Sequence, residues 1–247
     1  QERLRTQAER ETVRANLLRA MSHDIRTPLT SIVGNTAAIL ENEETLSSEQ
    51  RRKLLRDVNE DAQWLIRMVE NLLSITRISG EQANITKECE AAEEIIAASV
   101  RKFEKRFKTG VTVSVEVPDE VLLVPMDATL IQQVLLNLME NAVLHGGDVS
   151  EIHLRVEREG SYAWFSVSDN GVGIPRERLL TLFNGSLSGE SDRSFDMKKN
   201  MGIGLSVCQT IIKAHGGTIH AENRSEGGAC FRFCLPVKEE IINENQG

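Results

Sequence analysis

The chain carries two long apolar stripes of helical period and then abandons that period. At about 100° per residue, Leu18, Met21, Ile25, Leu29 and Ile32 gather on one side of a helix, and the stripe runs on through Val33, Ile39 and Leu40. Glu41 to Ser48 is polar and ends it. A second stripe follows, through Leu54, Val58, Leu65, Met68, Val69, Leu72, Ile75 and Ile78. Two amphipathic helices on a short connection predict a helical hairpin. A lone hairpin has too little core to be stable. Pairing two copies into a dimeric four-helix bundle buries both stripes; packing one hairpin against the rest of the chain is the alternative.

Ser79-Gly80-Glu81-Gln82 reads as a linker, and beyond it helices mix with strands. Ala91–Lys105, Ala128–Leu144 and Ile203–His215 have helical patterns. Val111–Val117 alternates as a strand does. Ile152–Val156 and Ala163–Asp169 also alternate, and Glu159-Gly160-Ser161 between them predicts a hairpin. Thr218–Ala221 and Cys230–Leu235 close the domain as strands. Helices mixed with antiparallel strands imply a helix layer on one sheet face. The segment 184–201 is rich in Ser, Gly, Asp and Lys and lacks periodicity, as a lid or plain disorder would.

A net charge of -8 excludes a chain built to neutralise phosphates, so no nucleic-acid partner is expected. No apolar run approaches the length of a membrane span, and no signal peptide is visible. The chain opens in what reads as mid-helix at Gln1, as an excised piece would. Cys89, Cys208, Cys230 and Cys234 form no CxxC. On one strand face Cys230 and Cys234 lie about 13 Å apart, too far for a disulfide. Buried thiols in a reducing compartment are expected, and no zinc site.

Several residues sit where chemistry needs them. His23 falls roughly 160° from the centre of the first stripe, so its imidazole faces solvent. Asp24 follows it, Thr27 shares its face one turn on, and Pro28 removes an N–H and predicts a kink. Taken alone, this is a surface histidine beside a helix bend. Asn137 and Asn141 lie four apart at the edge of the stripe Ile131, Val134, Leu135, Leu138 and Ala142. Such amides can offer a carbonyl oxygen to a hard cation; surface amides are the plainer alternative. Asp169 shares the face of Phe165 and Val167, and if that face is interior its carboxylate needs a donor such as an adenine amino group. Gly171 and Gly173 let backbone approach a ligand closely. Gly202 and Gly204 precede a helix whose first N–H groups can face phosphates. The dinucleotide fingerprint and the P-loop are both absent.

In this order the segments resemble the histidine kinases of two-component signalling. His23-Asp24-Ile25-Arg26-Thr27-Pro28 looks like the H box, Asn137-Leu138-Met139-Glu140-Asn141 the N box, and Asp169-Asn170-Gly171-Val172-Gly173 the G1 box. Leu182-Phe183 resembles the F box, Gly202-Ile203-Gly204-Leu205 the G2 box, and Gly227-Gly228-Ala229-Cys230-Phe231 the closing glycine motif. Asn16-Leu17-Leu18-Arg19-Ala20-Met21-Ser22-His23 is similar to KdpD-type sensor kinases. The resemblance implies an all-α hairpin forming a dimeric four-helix bundle over 1–82, with an incoming signalling helix at 1–15. An α/β sandwich of the histidine kinase, gyrase and Hsp90 type follows over 83–247, with its lid at 184–201.

The resemblance also implies roles. His23 is the phosphoacceptor, Asp24 orients it or takes its proton, and Thr27 holds water for the phosphatase reaction. Asn141 coordinates magnesium, Asn137 supports the phosphates and Asp169 reads adenine. Gly171, Gly173, Gly202 and Gly204, with Leu205, shape the ATP pocket and lid hinge. The implied cofactors are ATP and Mg2+, and the implied partners a response regulator receiver domain and a second copy of the chain. The implied location is the cytoplasmic part of a membrane-anchored bacterial sensor. Two positions depart from the family pattern: Leu144 stands where a cation is usual, and Asn200 where the G2 box usually has its first glycine. Lys198, Lys199 or His145 are candidate replacements for that cation. A non-catalytic dimeric scaffold and an ATP-driven clamp are the competing expectations; a solvent-facing His23 speaks against the clamp, which needs no phosphoacceptor.

Overall fold

The computed structural model describes residues 25–79, 85–107, 110–183 and 201–237. The chain divides into two compact units, Gln1–Leu73 and Ser74–Gly247. His23, Asp24, the incoming segment 1–15 and the lid 184–200 lie outside the described residues.

In the first unit, α1 covers residues 25–41, and α2 starts at Ser48 and runs to Ser79, past the division. The polar stretch between them ends α1, as its composition predicts. Leu46 N–H donates to the Asn42 carbonyl (3.0 Å), and the Arg51 guanidinium reaches back to the Glu43 carbonyl (2.7 Å). A capping box then opens α2: Gln50 N–H donates to Ser47 Oγ (3.2 Å), and Ser47 N–H to Gln50 Oε1 (2.9 Å). Two of the donors that a helix start leaves open are thereby satisfied. Helix α1 runs through Pro28, and the turn before it, where the kink is expected, reaches back into residues outside those described. The apolar arc is wider than the hairpin covers. Leu54, Val58 and Leu65 are partly covered, while Leu29, Val33, Leu40, Leu55, Ile66 and Val69 remain exposed.

The second unit is a helix layer on a mixed sheet. After β1 (Glu88–Ala91) and α3 (Ala92–Arg106) come β2 (Thr112–Glu116), β3 (Leu123–Met126) and α4 (Ala128–His145). Then follow β4 (Glu151–Glu159), β5 (Tyr162–Asp169), α5 (Arg176–Leu179), α6 (Met201–Ala214), β6 (Thr218–Asn223) and β7 (Ala229–Pro236). The main sheet has the order β2-β4-β5-β7-β6. Alternation puts Ile152, Leu154 and Val156, then Ala163, Phe165 and Val167, then Phe231, Phe233 and Leu235, on one buried face. Phe165 and Phe233 stack across neighbouring strands at 4.9 Å between centroids. Helix α4 packs between α3 and α6 over this face.

Three features differ from the sequence expectation. β2 pairs with β4 in parallel, because the chain crosses over through α4 between them. β1 and β3 form a separate antiparallel ribbon; Glu88 and Glu90 hide one strand and Pro125 the other, since proline has no ladder donor. The short α5 was also not expected. All four cysteines are free, but Cys89 is exposed and Cys230 only partly covered, so burial holds for Cys208 and Cys234 alone. Burial pushes the Cys208 thiol up to about 12, which leaves it protonated and inert.

Candidate functional site

Helix α4 is fixed at its start and along its length. Asp127 caps it, its carboxylate accepting from Leu130 N–H (3.1 Å). The backbone N–H of Asp127 donates to Nε2 of His215 (3.0 Å), whose Nδ1 faces the Ile211 carbonyl (2.8 Å). That arrangement requires a neutral ring with its proton on Nδ1, and burial lowers the His215 pKa accordingly. Midway, Glu140 is buried and pairs with Arg106 of α3 at 3.1 Å. This pairing joins α4 to α3.

The two asparagines fare differently. Asn137 is buried; its Oδ1 accepts from Gln133 Nε2 (3.1 Å) and its Nδ2 donates to the Gly204 carbonyl (3.4 Å). It ties α4 to the first turn of α6. Asn141 is one turn further on, and its Nδ2 is buried without a hydrogen-bond partner. A buried amide left without a partner costs about 1–3 kcal/mol, so this side chain is set aside for something other than the fold.

β5 delivers Asp169 to the same region, with 4% of its surface exposed. Oδ1 accepts from Gly171 N–H (2.9 Å) and from Ala229 N–H (3.2 Å). The carboxylate is therefore held in place, with Oδ2 left to accept from a ligand. Asn170 staples the loop to the segment after α4, its Oδ1 accepting from the N–H groups of Ser150 and Glu151 (3.1 Å each). Gly171 and Gly173 are needed, though not for the expected reason alone. A Cβ on Gly171 would lie 2.2 Å from the Gly146 carbonyl oxygen, so its glycine makes room for the protein's own backbone. Gly173 has φ +75° and lines the pocket, and a Cβ there would meet Asn223 Oδ1 at 2.8 Å.

The pocket is lined by Asn141, Ala142, His145, Gly146, Asp169, Gly173, Ile174, Ala229 and Phe231. Phe183 sets its ring edge-on to Phe231 at 6.5 Å. Apolar walls with a fixed carboxylate and an amide suit a flat heteroaromatic ring bearing an exocyclic amino group. Of the expected site residues, the pocket unites Asn141, Asp169 and Gly173. Asn137 and Gly204 meet each other beside it. Leu205 is fully buried and belongs to the core, because α6 turns it inward. Gly202 and Gly204 lie inside the first turn of α6, which begins at Met201, rather than ahead of the helix. Leu144 is exposed and does not line the pocket, whereas His145 does. Thr27 lies in α1, partly covered.

Among the described residues no three His, Cys, Asp or Glu side chains converge on a metal position. A magnesium ion carried by a nucleotide would not depend on such a cluster, because phosphate oxygens and water supply much of its shell. The Asn141 side chain lines the pocket, and its amide oxygen is a donor of the class that role takes; the atom left without a partner is Nδ2. Sequence reasoning missed Asn170, Asn223 and Arg224. The amide-rich Asp169-Asn170-Gly171 turn offered a signal for the first, since asparagine often bonds backbone at turns. Nothing local marked the other two.

The model of the His Kinase A (phospho-acceptor) domain matches residues 13–81, and that of the histidine kinase-, DNA gyrase B- and HSP90-like ATPase matches residues 126–239. The sensor protein KdpD of Clostridium acetobutylicum is 39% identical over 96% of this chain, which spans 26% of that protein. The chain thus covers about a quarter of the length of such relatives. The catalytic domain of histidine kinase ThkA is 31% identical, with a TM-score of 0.51, covering 61% of this chain and 95% of that one. A structure of histidine kinase ThkA in complex with response regulator protein TrrA superposes with a TM-score of 0.70 at 27% identity, covering 96% of this chain and 66% of that one. No described helix is long and apolar enough to cross a membrane. With the phospho-acceptor model over the helical hairpin and the ATPase model over the Asn141 and Asp169 pocket, the chain belongs to the sensor histidine kinases of two-component systems, with its resemblance directed to KdpD.

Proposed function

We propose that this chain autophosphorylates on His23 with ATP and passes the phosphoryl group to an aspartate of a response regulator receiver domain. The observation that carries the reading is the pocket in which the Asp169 carboxylate, fixed by two backbone donors, faces the same space as the unpartnered Asn141 amide. Asp169 accepts from the adenine amino group, and Ile174 and Phe231 cover the ring. Asn141 would hold Mg2+ through its amide oxygen, and the ion would supply positive charge against the phosphates and the departing diphosphate. Asn137 keeps α6 and its lid end against α4, and so supports the phosphate end indirectly.

His23 attacks the γ-phosphorus as a neutral imidazole: a nitrogen–phosphorus bond forms, the bond to the bridging oxygen of ADP breaks, and Asp24 takes the ring proton. The phosphoryl group then moves to the receiver carboxylate. Thr27, one turn from His23, holds water for hydrolysis of the phosphorylated regulator. The kink at Pro28 lets the upper bundle bend while the lower bundle stays fixed, which couples signal to geometry; Pro28→Ala that left both kinase and phosphatase rates unchanged in a signal-responsive protein would sink this point. The exposed stripes of Leu29, Val33, Leu40, Leu55, Ile66 and Val69 support a homodimer through the helical hairpin. In this reading 1–82 is the dimerisation and phosphotransfer unit, 83–247 the ATP-binding unit, and the whole is the cytoplasmic part of a membrane-anchored sensor.

The test is incubation with γ-labelled ATP and Mg2+ beside His23→Gln. Acid-labile label on the unsubstituted chain alone is expected. Nucleotide binding without label would favour the scaffold instead.

A further inference from the structure

The turn between β6 and β7 grips the Asp169–Ile174 loop at both ends. At the near end, Arg224 donates from its guanidinium to the Asp169 carbonyl (2.9 Å), and Ala229 N–H donates to Asp169 Oδ1 (3.2 Å). Gly228 lets the turn press close, since a Cβ on it would stand 2.0 Å from the Asp169 carbonyl oxygen. At the far end, Asn223 binds Ile174 twice. Its Oδ1 accepts from Ile174 N–H (2.7 Å) and its Nδ2 donates to the Ile174 carbonyl (2.7 Å). One side-chain amide thus acts as a peptide partner for a buried residue whose backbone has no strand beside it. Asn223 and Arg224 lie on the surface and leave no cavity when shortened. They hold the residue that faces the base and a residue that covers it, yet line no part of the pocket.

We infer that Asn223 and Arg224 are positioning residues that set adenine selectivity, by fixing the distance between the Asp169 carboxylate and the Ile174 wall. This rests on the nucleotide reading above. A hydrogen bond to a fixed carboxylate discriminates between bases only when the acceptor stays within a few tenths of an ångström of its place. A loop loosened at either end still admits a purine but reads it poorly.

The test is calorimetric titration of the full chain with ADP and with GDP, each with Mg2+, for the unsubstituted protein, Asn223→Ala, Arg224→Ala and Arg232→Ala. The last lies on the opposite sheet face, where it pairs with Glu157 and lies over Trp164, and serves as a stability control. ADP affinity is expected to fall about tenfold in the Asn223 and Arg224 variants, with GDP affinity nearly unchanged, so that the ADP-to-GDP ratio shrinks. Arg232→Ala is expected to lower the melting temperature and leave the ratio alone. An unchanged ratio in both turn variants would overturn the inference, whatever their melting temperatures. Failure of the unsubstituted chain to prefer ADP would overturn the nucleotide reading itself, a result distinct from the first.

Discussion

Replacing Asp169 by Asn separates holding the loop from reading the base. Oδ1 of Asp169 accepts from Gly171 and Ala229. An Asn carbonyl oxygen in the same place keeps both bonds, so the loop stays folded. The other carboxylate oxygen becomes an NH2 donor facing the adenine amino group, itself a donor. A hydrogen bond to a charged acceptor, about 1.5–3 kcal/mol, is lost, and an unpaired donor adds about 1–3 kcal/mol. Even the lower ends imply a loss in ADP affinity on the order of a hundredfold. Asp169→Ala removes the acceptor from two N–H groups and costs about 2–6 kcal/mol of stability. For a unit of this size that lowers the melting temperature by roughly 5–20 °C. The assay pairs ADP titration with thermal melting for both variants. The reasoning is refuted if Asp169→Asn binds ADP within threefold of the unsubstituted chain, or melts as low as Asp169→Ala.

Three further outcomes follow from the geometry. The folded His215 pKa lies below its ordinary value of 6.5, so the unfolded chain binds the extra proton first as pH falls; the contribution is complete above pH 6.5 and is lost progressively below it, and thermal melts in this window should show that slope, with His215→Gln flattening it. Ser47→Ala removes one half of the capping box and should cost about 1 kcal/mol; denaturant melts followed by far-ultraviolet dichroism would show an unchanged midpoint if the cap contributes nothing. Ile66→Glu puts a charge into an exposed apolar stripe of α2, and light scattering is expected to report a dimer for the unsubstituted chain and a monomer for the variant; a dimer of unchanged affinity would place the contact elsewhere.

Periodicity carried much of the site. Counting by two from Phe165 puts Asp169 inside, and the structure has it there. Counting by four from Asn137 brings Asn141 to the same stripe edge, and the structure adds that only Asn141 keeps an unpartnered amide nitrogen. What escaped depends on segments distant in sequence. Asn223 meets Ile174 and Arg224 meets Asp169 across about fifty positions (49 and 55), through a hairpin turn whose own sequence reports only glycines. The reason for Gly171 is the Gly146 carbonyl, a partner on another loop. The ribbon of β1 and β3 is hidden by glutamates and a proline, since two strands can pair without an alternating pattern. Leu205 adjoins the glycines in sequence, but the helix turns it to the core.

The most direct test of the account is to find where the phosphoryl group lands. After incubation with ATP and Mg2+, the chain would be digested at mildly alkaline pH, which preserves phosphohistidine, and its fragments sequenced by mass spectrometry. The account predicts a phosphoryl group on His23, absent when Asp169→Asn is used at the same nucleotide concentration. Modification on a serine or threonine, or label on His23 that is indifferent to Asp169, would contradict it.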